Sequence, residues 1–213
     1  MLEEIYSKRI QTHTWNDKIP SKKLINSLIK KTYELVPSKQ NIIPYQIIIW
    51  DSNIKKDEFR DFCRYGSDDM SQDYKRGTVG LLAPYVLFFC KRKINDINGM
   101  VLRSIKKGHA HKILDQTWPY DYKRSCLEIG MFSSLLTGFC MEENLSVSYT
   151  LCMPSPKWKI NEKWVPNNEW RTFGFEPDQV LFSMGIGYSD QKKSGRADDE
   201  IKPPIKNIVN WTK

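Results

Sequence analysis

After Pro20-Ser21, apolar residues recur at helical spacing: Leu24, Ile25, Leu28 and Ile29 share a face, and the pattern runs to about Val36, where Pro37 stops it. Ser21 is placed to cap that helix, because its hydroxyl can accept from an N–H of the first turn. The loop Pro37-Ser38-Lys39-Gln40-Asn41 leads through Pro44 into Gln46–Trp50, a short apolar strand. Asp57–Cys63 reads as a helical segment and Tyr65–Gly80 as a polar, glycine-punctuated stretch. A second, buried strand is Tyr85–Cys90, introduced by Ala83-Pro84. Residues 94–118 are ambiguous, since Gly99 and Gly108 weaken the helical character of Met100–Ile105.

The most informative pattern is the helix from about Tyr122 to Glu143. Leu127, Ile129, Met131, Phe132, Leu135, Leu136, Phe139, Cys140 and Met141 make it apolar nearly all round, so it must be covered on more than one face. Gly130, Ser133, Ser134 and Gly138 are small enough to permit close helix approach. Two readings follow: a helix at a dimer interface, or the central helix of a monomeric core. Beyond it, Ser146–Met153 alternates as a strand and Val180–Ile186 reads as another. Residues 154–178, rich in Pro, Asn and Trp, read as a long connection with room for a short helix. The polar tail, with Pro203-Pro204, reads as mobile or as an arm laid over a partner. Irregular alternation of helices and strands points to an α+β domain with a mixed sheet between helices, spanning residues 1–213 with 195–213 as the arm.

Composition narrows the class. The chain has 213 residues, enough for one substantial core, and no run of about 18 apolar residues to cross a bilayer. MLEEIYSKRI has no apolar segment of secretory type, so a cytoplasmic protein is expected, with no membrane partner. The five cysteines are scattered without a C-x-x-C pair, and four of them, among apolar neighbours, read as packed small hydrophobes. No metal is expected, since His109 and His111 have no acidic or thiol companion at ligand spacing. A net charge of +8 would suit an anionic partner, yet basic and acidic residues interleave along most of the chain.

Familiar catalytic signatures are absent: there is no G-x-S-x-G, H-E-x-x-H, Walker A or G-x-G-x-x-G, and Gly185-Ile186-Gly187 leads into Tyr188-Ser189-Asp190 rather than a helix. What remains is a pair of basic clusters at opposite ends of the chain, Lys8-Arg9-Ile10-Gln11-Thr12-His13 and Lys192-Lys193-Ser194-Gly195-Arg196. Guanidinium and ammonium groups among hydroxyls and amides suit a phosphate clamp, because their bonds to phosphate are charge-assisted. Each cluster taken alone also reads as a solvated surface.

In order and spacing these segments resemble the FMN-dependent nitroreductase superfamily. Arg9-Ile10-Gln11-Thr12-His13-Thr14-Trp15 matches its R-x-S-x-[RK]-x-[FW] opening, and Pro37 to Tyr45 matches its P-S-x-x-N-x-Q-P-[WF] loop. Ala83-Pro84, Glu128-Ile129-Gly130, the strand ending Gly185-Ile186-Gly187-Tyr188 and a basic K-x-x-R-like tail extend the match over most of the chain. The resemblance implies a nitroreductase-like fold, with a mainly antiparallel sheet and a long central helix at a homodimer interface. It implies FMN sites built from both subunits. Arg9, Gln11 and His13, with the Ile10 backbone, would meet the FMN phosphate and ribityl chain, as would Lys193 and Arg196. Pro37, Ser38 and Asn41 would approach the ring from the other subunit. Tyr149, Thr150 and Leu151 would face it with their backbone, an N–H reaching N5. The implied reaction is a ping-pong exchange in which NAD(P)H and then a small-molecule electron acceptor, such as a nitroaromatic or quinone, use one pocket. Trp118, Tyr120 and Tyr122, or residues Trp158 to Trp170, could wall that pocket.

The chain departs from the family at Gln11, which stands for Ser, at His13, and at Ile43, which stands for Gln. Asn144 replaces Gly, and Leu151-Cys152 replaces an acidic-glycine pair. An alternative is therefore the same fold with other flavin chemistry, namely dehalogenation, flavin reduction or flavin fragmentation, or a flavin binder without catalysis. A third reading is a basic nucleic-acid-binding module, in which the two clusters would contact phosphodiesters. The resemblance favours the flavin enzyme, with no nucleic-acid partner.

Overall fold

The computed structural model describes residues 2–12, 14–38, 43–51, 58, 79–92, 120–150, 157–160, 163–166, 168–176, 179–192, 204, 205 and 208. The expected helix at Asp57–Cys63 (apart from Glu58), most of Tyr65–Gly80 and all of 94–118 lie outside them.

The chain opens with a short helix, α1 (Leu2–Ser7), which the sequence pattern did not suggest. Helix α2 spans Lys22–Leu35, and Ser21 caps it as expected: its hydroxyl accepts from the Leu24 N–H at 3.2 Å. Ile25 and Leu28 are buried, as the spacing requires. Strands β1 (Tyr45–Trp50) and β2 (Tyr85–Lys91) follow, then the long helix α3 (Tyr120–Glu142) and strand β3 (Ser146–Thr150). The stretch expected to be a long connection contains a hairpin, β4 (Lys157–Ile160) and β5 (Lys163–Pro166), and then a 3-10 helix at Asn168–Phe173. Strand β6 spans Val180–Gly187.

Four strands form one sheet in the order β1-β2-β6-β3, with every pairing antiparallel. Both faces of strand β2 are covered by packed residues, which is why it reads as an unbroken apolar run. Tyr85, Leu87 and Phe89 join Ile25, Leu28, Ile129, Phe132, Leu136 and Cys140 in a core beneath α2 and α3. Val86, Phe88 and Cys90 face the other way and pack with Trp50, Leu81, Trp170 and Phe175. Trp50 and Phe88 meet edge to face at 4.7 Å between ring centroids, a favoured aromatic geometry.

Two devices fix the ends of elements near the site. Helix α3 closes in a Schellman motif, the Leu145 N–H donating to the Cys140 carbonyl at 2.8 Å and Asn144 N–H to Met141 at 3.1 Å. That motif needs a left-handed residue, and Asn144, at φ 57°, supplies it where the family uses Gly. Gly185 and Gly187 are required by close approach. A Cβ on Gly185 would lie 2.3 Å from the Gly80 carbonyl oxygen, and one on Gly187 2.5 Å from Pro84. They let the 3-10 turn Val79–Leu82 and the Trp15 ring lie flat on β6. Gly185-Ile186-Gly187 is thus a packing feature.

Candidate functional site

Strand β3 is an edge of the sheet, and its outer rim is covered by the segment that follows α1. Thr12 N–H donates to the Val147 carbonyl at 3.2 Å, and Asn16 N–H to the Tyr188 carbonyl at 3.1 Å. Next to Thr12, Gln11 acts as a side-chain substitute for a neighbouring strand. Its Nε2 donates to the Tyr149 carbonyl at 2.7 Å and to Ser148 Oγ at 3.1 Å, while its Oε1 accepts the Tyr149 N–H at 3.3 Å. Both Nε2 protons are therefore committed to β3. Sequence reasoning expects Gln11 to meet the phosphate or ribityl chain; in this structure its amide bonds to β3.

The end of β6 is drawn onto the same segment. Gln191 Nε2 donates to the Gln11 carbonyl at 3.1 Å, and Gln191 Oε1 accepts from the Thr14 N–H at 3.2 Å. Asn16 Nδ2 and Asp190 Oδ1 meet at 3.3 Å. The N-terminal basic cluster and the start of the C-terminal one, at Lys192, consequently lie on neighbouring stretches of one chain. Of the cofactor-site residues expected from sequence, His13, Asn41, Leu151, Lys193 and Arg196 lie outside the described residues. Arg9, Ile10, Gln11, Tyr149 and Thr150 share this seam. Pro37 and Ser38 lie elsewhere, at the end of α2.

Arg9 sits where α1 ends, its N–H bonded to the Tyr6 carbonyl at 3.2 Å. Its guanidinium lies over the Tyr149 ring, 5.1 Å from the centroid, a cation–π distance. The Tyr149 hydroxyl is held by Thr137 Oγ1 of α3. Burial pushes the Tyr149 phenol up from its ordinary range, and the Thr137 hydrogen bond and the Arg9 charge pull the other way. The Arg9 Nη1 is buried and has no hydrogen-bond partner among the described residues; the buried Thr12 Oγ1 and Thr150 Oγ1 share that condition. A buried guanidinium nitrogen with no acceptor among the described residues is costly, so its place on this seam suits an anionic, oxygen-rich ligand. The Arg9 guanidinium fits the phosphate tail of FMN.

Ser38 has a second setting. Its hydroxyl donates to the Glu128 carboxylate of α3 at 2.7 Å and accepts from the Ile43 N–H at 3.2 Å. Glu128 and Thr137 are nine residues apart on α3, roughly 13 Å along its axis. The Arg9–Tyr149 seam and the Ser38 loop therefore touch α3 about two and a half turns apart. Glu128 was visible in sequence only as part of a family motif; a lone carboxylate in an apolar run of helix was the signal that could have singled it out. No His/Cys/Asp/Glu cluster able to hold a metal, and no helix long and apolar enough to cross a membrane, occurs among the described residues.

No family model matches the sequence, and no curated protein is significantly similar to it. Solved structures are similar over the whole chain. A nitroreductase family protein from Streptococcus pneumoniae is 12% identical, covers 100% of both chains and superposes with a TM-score of 0.65. A nitroreductase with bound FMN from Desulfitobacterium hafniense is 12% identical, with 99% of this chain and 97% of that one covered and a TM-score of 0.62. A variant of an FMN- and NADPH-dependent nitroreductase from a Sphigopyxis species is 12% identical, covering 99% and 98%, at 0.63. At such identity the likeness is one of architecture: this chain is built on the nitroreductase-like α+β fold.

Proposed function

We propose that the protein is an FMN-dependent oxidoreductase that works as a homodimer and carries reducing equivalents from NAD(P)H to a small acceptor such as a nitroaromatic or quinone. The observation that carries this reading is Arg9 Nη1, a buried cationic donor without a partner among the described residues, on a seam where both ends of the chain meet. The solved neighbours that bind FMN on this fold support it. Bound FMN would supply the redox chemistry, accepting and releasing hydride. Arg9, with Lys193 and Arg196, would hold its phosphate. Gln11 would fix the strand rather than touch the cofactor. The backbone of Tyr149–Leu151 and the Pro37–Asn41 loop of a partner subunit would flank the ring. Since Gln11 already takes the Tyr149 N–H and Thr150 pairs with Ser183 of β6, the contact to N5 would fall to Leu151.

A dimer seam along α3 is supported by Leu127, which is 65% exposed, with Gly130 and Ser134 exposed on the same side. Ile205 and Ile208, 75% and 64% exposed, suit an arm (195–213) laid over a partner. The single-domain organisation over 1–213 goes with that reading. Free thiols at Cys90, Cys126 and Cys140 are in keeping with the reducing cytoplasm.

The test is an anaerobic spectrum of purified protein supplied with FMN. Retained flavin that NAD(P)H bleaches is the expected result. Retained flavin that NAD(P)H leaves oxidised would overturn the reductase and leave a flavin binder. Protein that retains no flavin would overturn both.

A further inference from the structure

Glu128 has no role in the function proposed above, yet it is 3% exposed and takes part in a chain of hydrogen bonds. Its carboxylate accepts from Ser38 Oγ at 2.7 Å, and the same hydroxyl oxygen accepts from the Ile43 N–H at 3.2 Å. Ile43 has φ 47°, in the left-handed region that a β-branched residue rarely adopts. Its carbonyl accepts from Arg92 Nε at 2.8 Å, and the Arg92 N–H donates to the neighbouring Pro44 carbonyl at 3.3 Å. Both backbone groups of this strained residue are thus held, one from α3 through Ser38 and the other from the end of β2.

A serine hydroxyl has a single proton, and here it goes to Glu128. Ser38 therefore cannot donate to a ligand while the tie is made. An ionised carboxylate is acceptor-only, so it fixes the direction of that proton and turns the oxygen lone pairs toward the Ile43 N–H. A residue without an acceptor at position 128 would let the hydroxyl rotate and release Ile43.

We propose that Glu128 is a positioning residue of the flavin site: acting through Ser38, it sets the backbone of Pro37, Ser38 and Ile43 in the conformation that meets the flavin. The proposal rests on the flavin reading above. It gives Ser38 an internal task instead of a ligand's, and it accounts for a carboxylate in the apolar stretch Leu127-Glu128-Ile129.

Two readouts test it on the full-length protein. Amide exchange at Ile43 reports the tie without flavin, and FMN titration with the visible spectrum of the bound flavin reports its consequence. Ser38→Ala and Glu128→Ala should each speed Ile43 exchange and weaken FMN binding by about tenfold, the scale of one lost hydrogen bond to a charged group. Both should shift the flavin band. Losses in the double variant should not add, because the two residues act through one bond. Glu128→Gln, which can still present an acceptor, should retain most of the protection and affinity. If Glu128→Ala does not fold, Ser38→Ala carries the test. Wild-type exchange at Ile43 in Ser38→Ala overturns the tie while the flavin reading stands. Faster exchange with unchanged FMN affinity and spectrum makes the tie structural only and also overturns the proposal. Wild-type protein that takes up no FMN removes the flavin reading and this proposal together.

Discussion

Replacing Gln11 with alanine removes three side-chain hydrogen bonds at once: those to Ser148 Oγ, the Tyr149 carbonyl and the Tyr149 N–H. Each contributes about 1 kcal/mol net, and the two Tyr149 backbone groups lose their partner on the rim of an edge strand. The seam is only partly buried, so water can replace some of what is lost, and we expect destabilisation of about 2–4 kcal/mol. For a chain of this size that lowers the melting temperature by on the order of 10 °C. Gln11→Glu should be at least as harmful. It keeps an acceptor for the Tyr149 N–H but turns a carboxylate oxygen toward the Tyr149 carbonyl, which Nε2 now meets at 2.7 Å. Urea unfolding of flavin-free protein is the assay, with the slope unchanged so that midpoints report stability. Lys8→Ala is the control: its ion pair with Glu4, at 3.4 Å between side chains 70% and 72% exposed, should contribute little. If Gln11→Ala unfolds within about 0.5 kcal/mol of wild type, the scale of a neutral surface change, the edge-capping role is wrong. If its FMN affinity alone then falls, Gln11 is a ligand after all.

Other consequences follow from the packing and the charges. Gly185→Ala should cost about 2–3 kcal/mol or more by thermal melting, since its Cβ would meet the Gly80 carbonyl oxygen at 2.3 Å and Ala83 at 2.8 Å. A wild-type melting temperature would show that the 3-10 turn does not press on β6. Leu127→Asp should shift the sedimenting species from dimer to monomer, and an unchanged mass would place the seam elsewhere. Burial pushes the Cys90 and Cys140 thiols up from 9.0 to about 12. The folded chain therefore holds protons that the unfolded chain releases first as pH rises. Their contribution is intact below pH 9.0 and is lost toward about 12, so urea midpoints should fall over that interval. A rising midpoint would contradict the assignment. In the native state Cys126, which is exposed, should alkylate promptly, while Cys90 and Cys140 label only on unfolding, as peptide mapping will read.

What the sequence revealed depended on whether the determining forces were local. Ser21 marked the start of α2 because a cap is a contact across three residues, and β2 announced itself because a strand packed on both faces is apolar at every position. Helix α1 escaped notice: six residues carrying Glu3 and Glu4 show too little periodicity to distinguish it. The β4–β5 hairpin was hidden by the Pro and Asn around it, although Lys157-Trp158-Lys159-Ile160 does alternate. At the site, Arg9 was legible as a cation in a motif and Asn144 as a stand-in for glycine. The work of Gln11 was not, since its partners lie 137 and 138 residues away and nothing local ties an amide to a strand edge. The Glu128–Ser38 tie, 90 residues apart, was hidden for the same reason.

The central claim is that Arg9 helps to hold a flavin phosphate, and the ratio of FMN to riboflavin affinity measures it most directly. Wild-type protein should prefer FMN, and Arg9→Ala should lose about tenfold to a hundredfold of that preference, corresponding to about 1.5–3 kcal/mol for hydrogen bonds to a charged group. Riboflavin binding should hardly change. Equal affinity for the two flavins in wild type, or a preference that survives Arg9→Ala intact, would contradict the account.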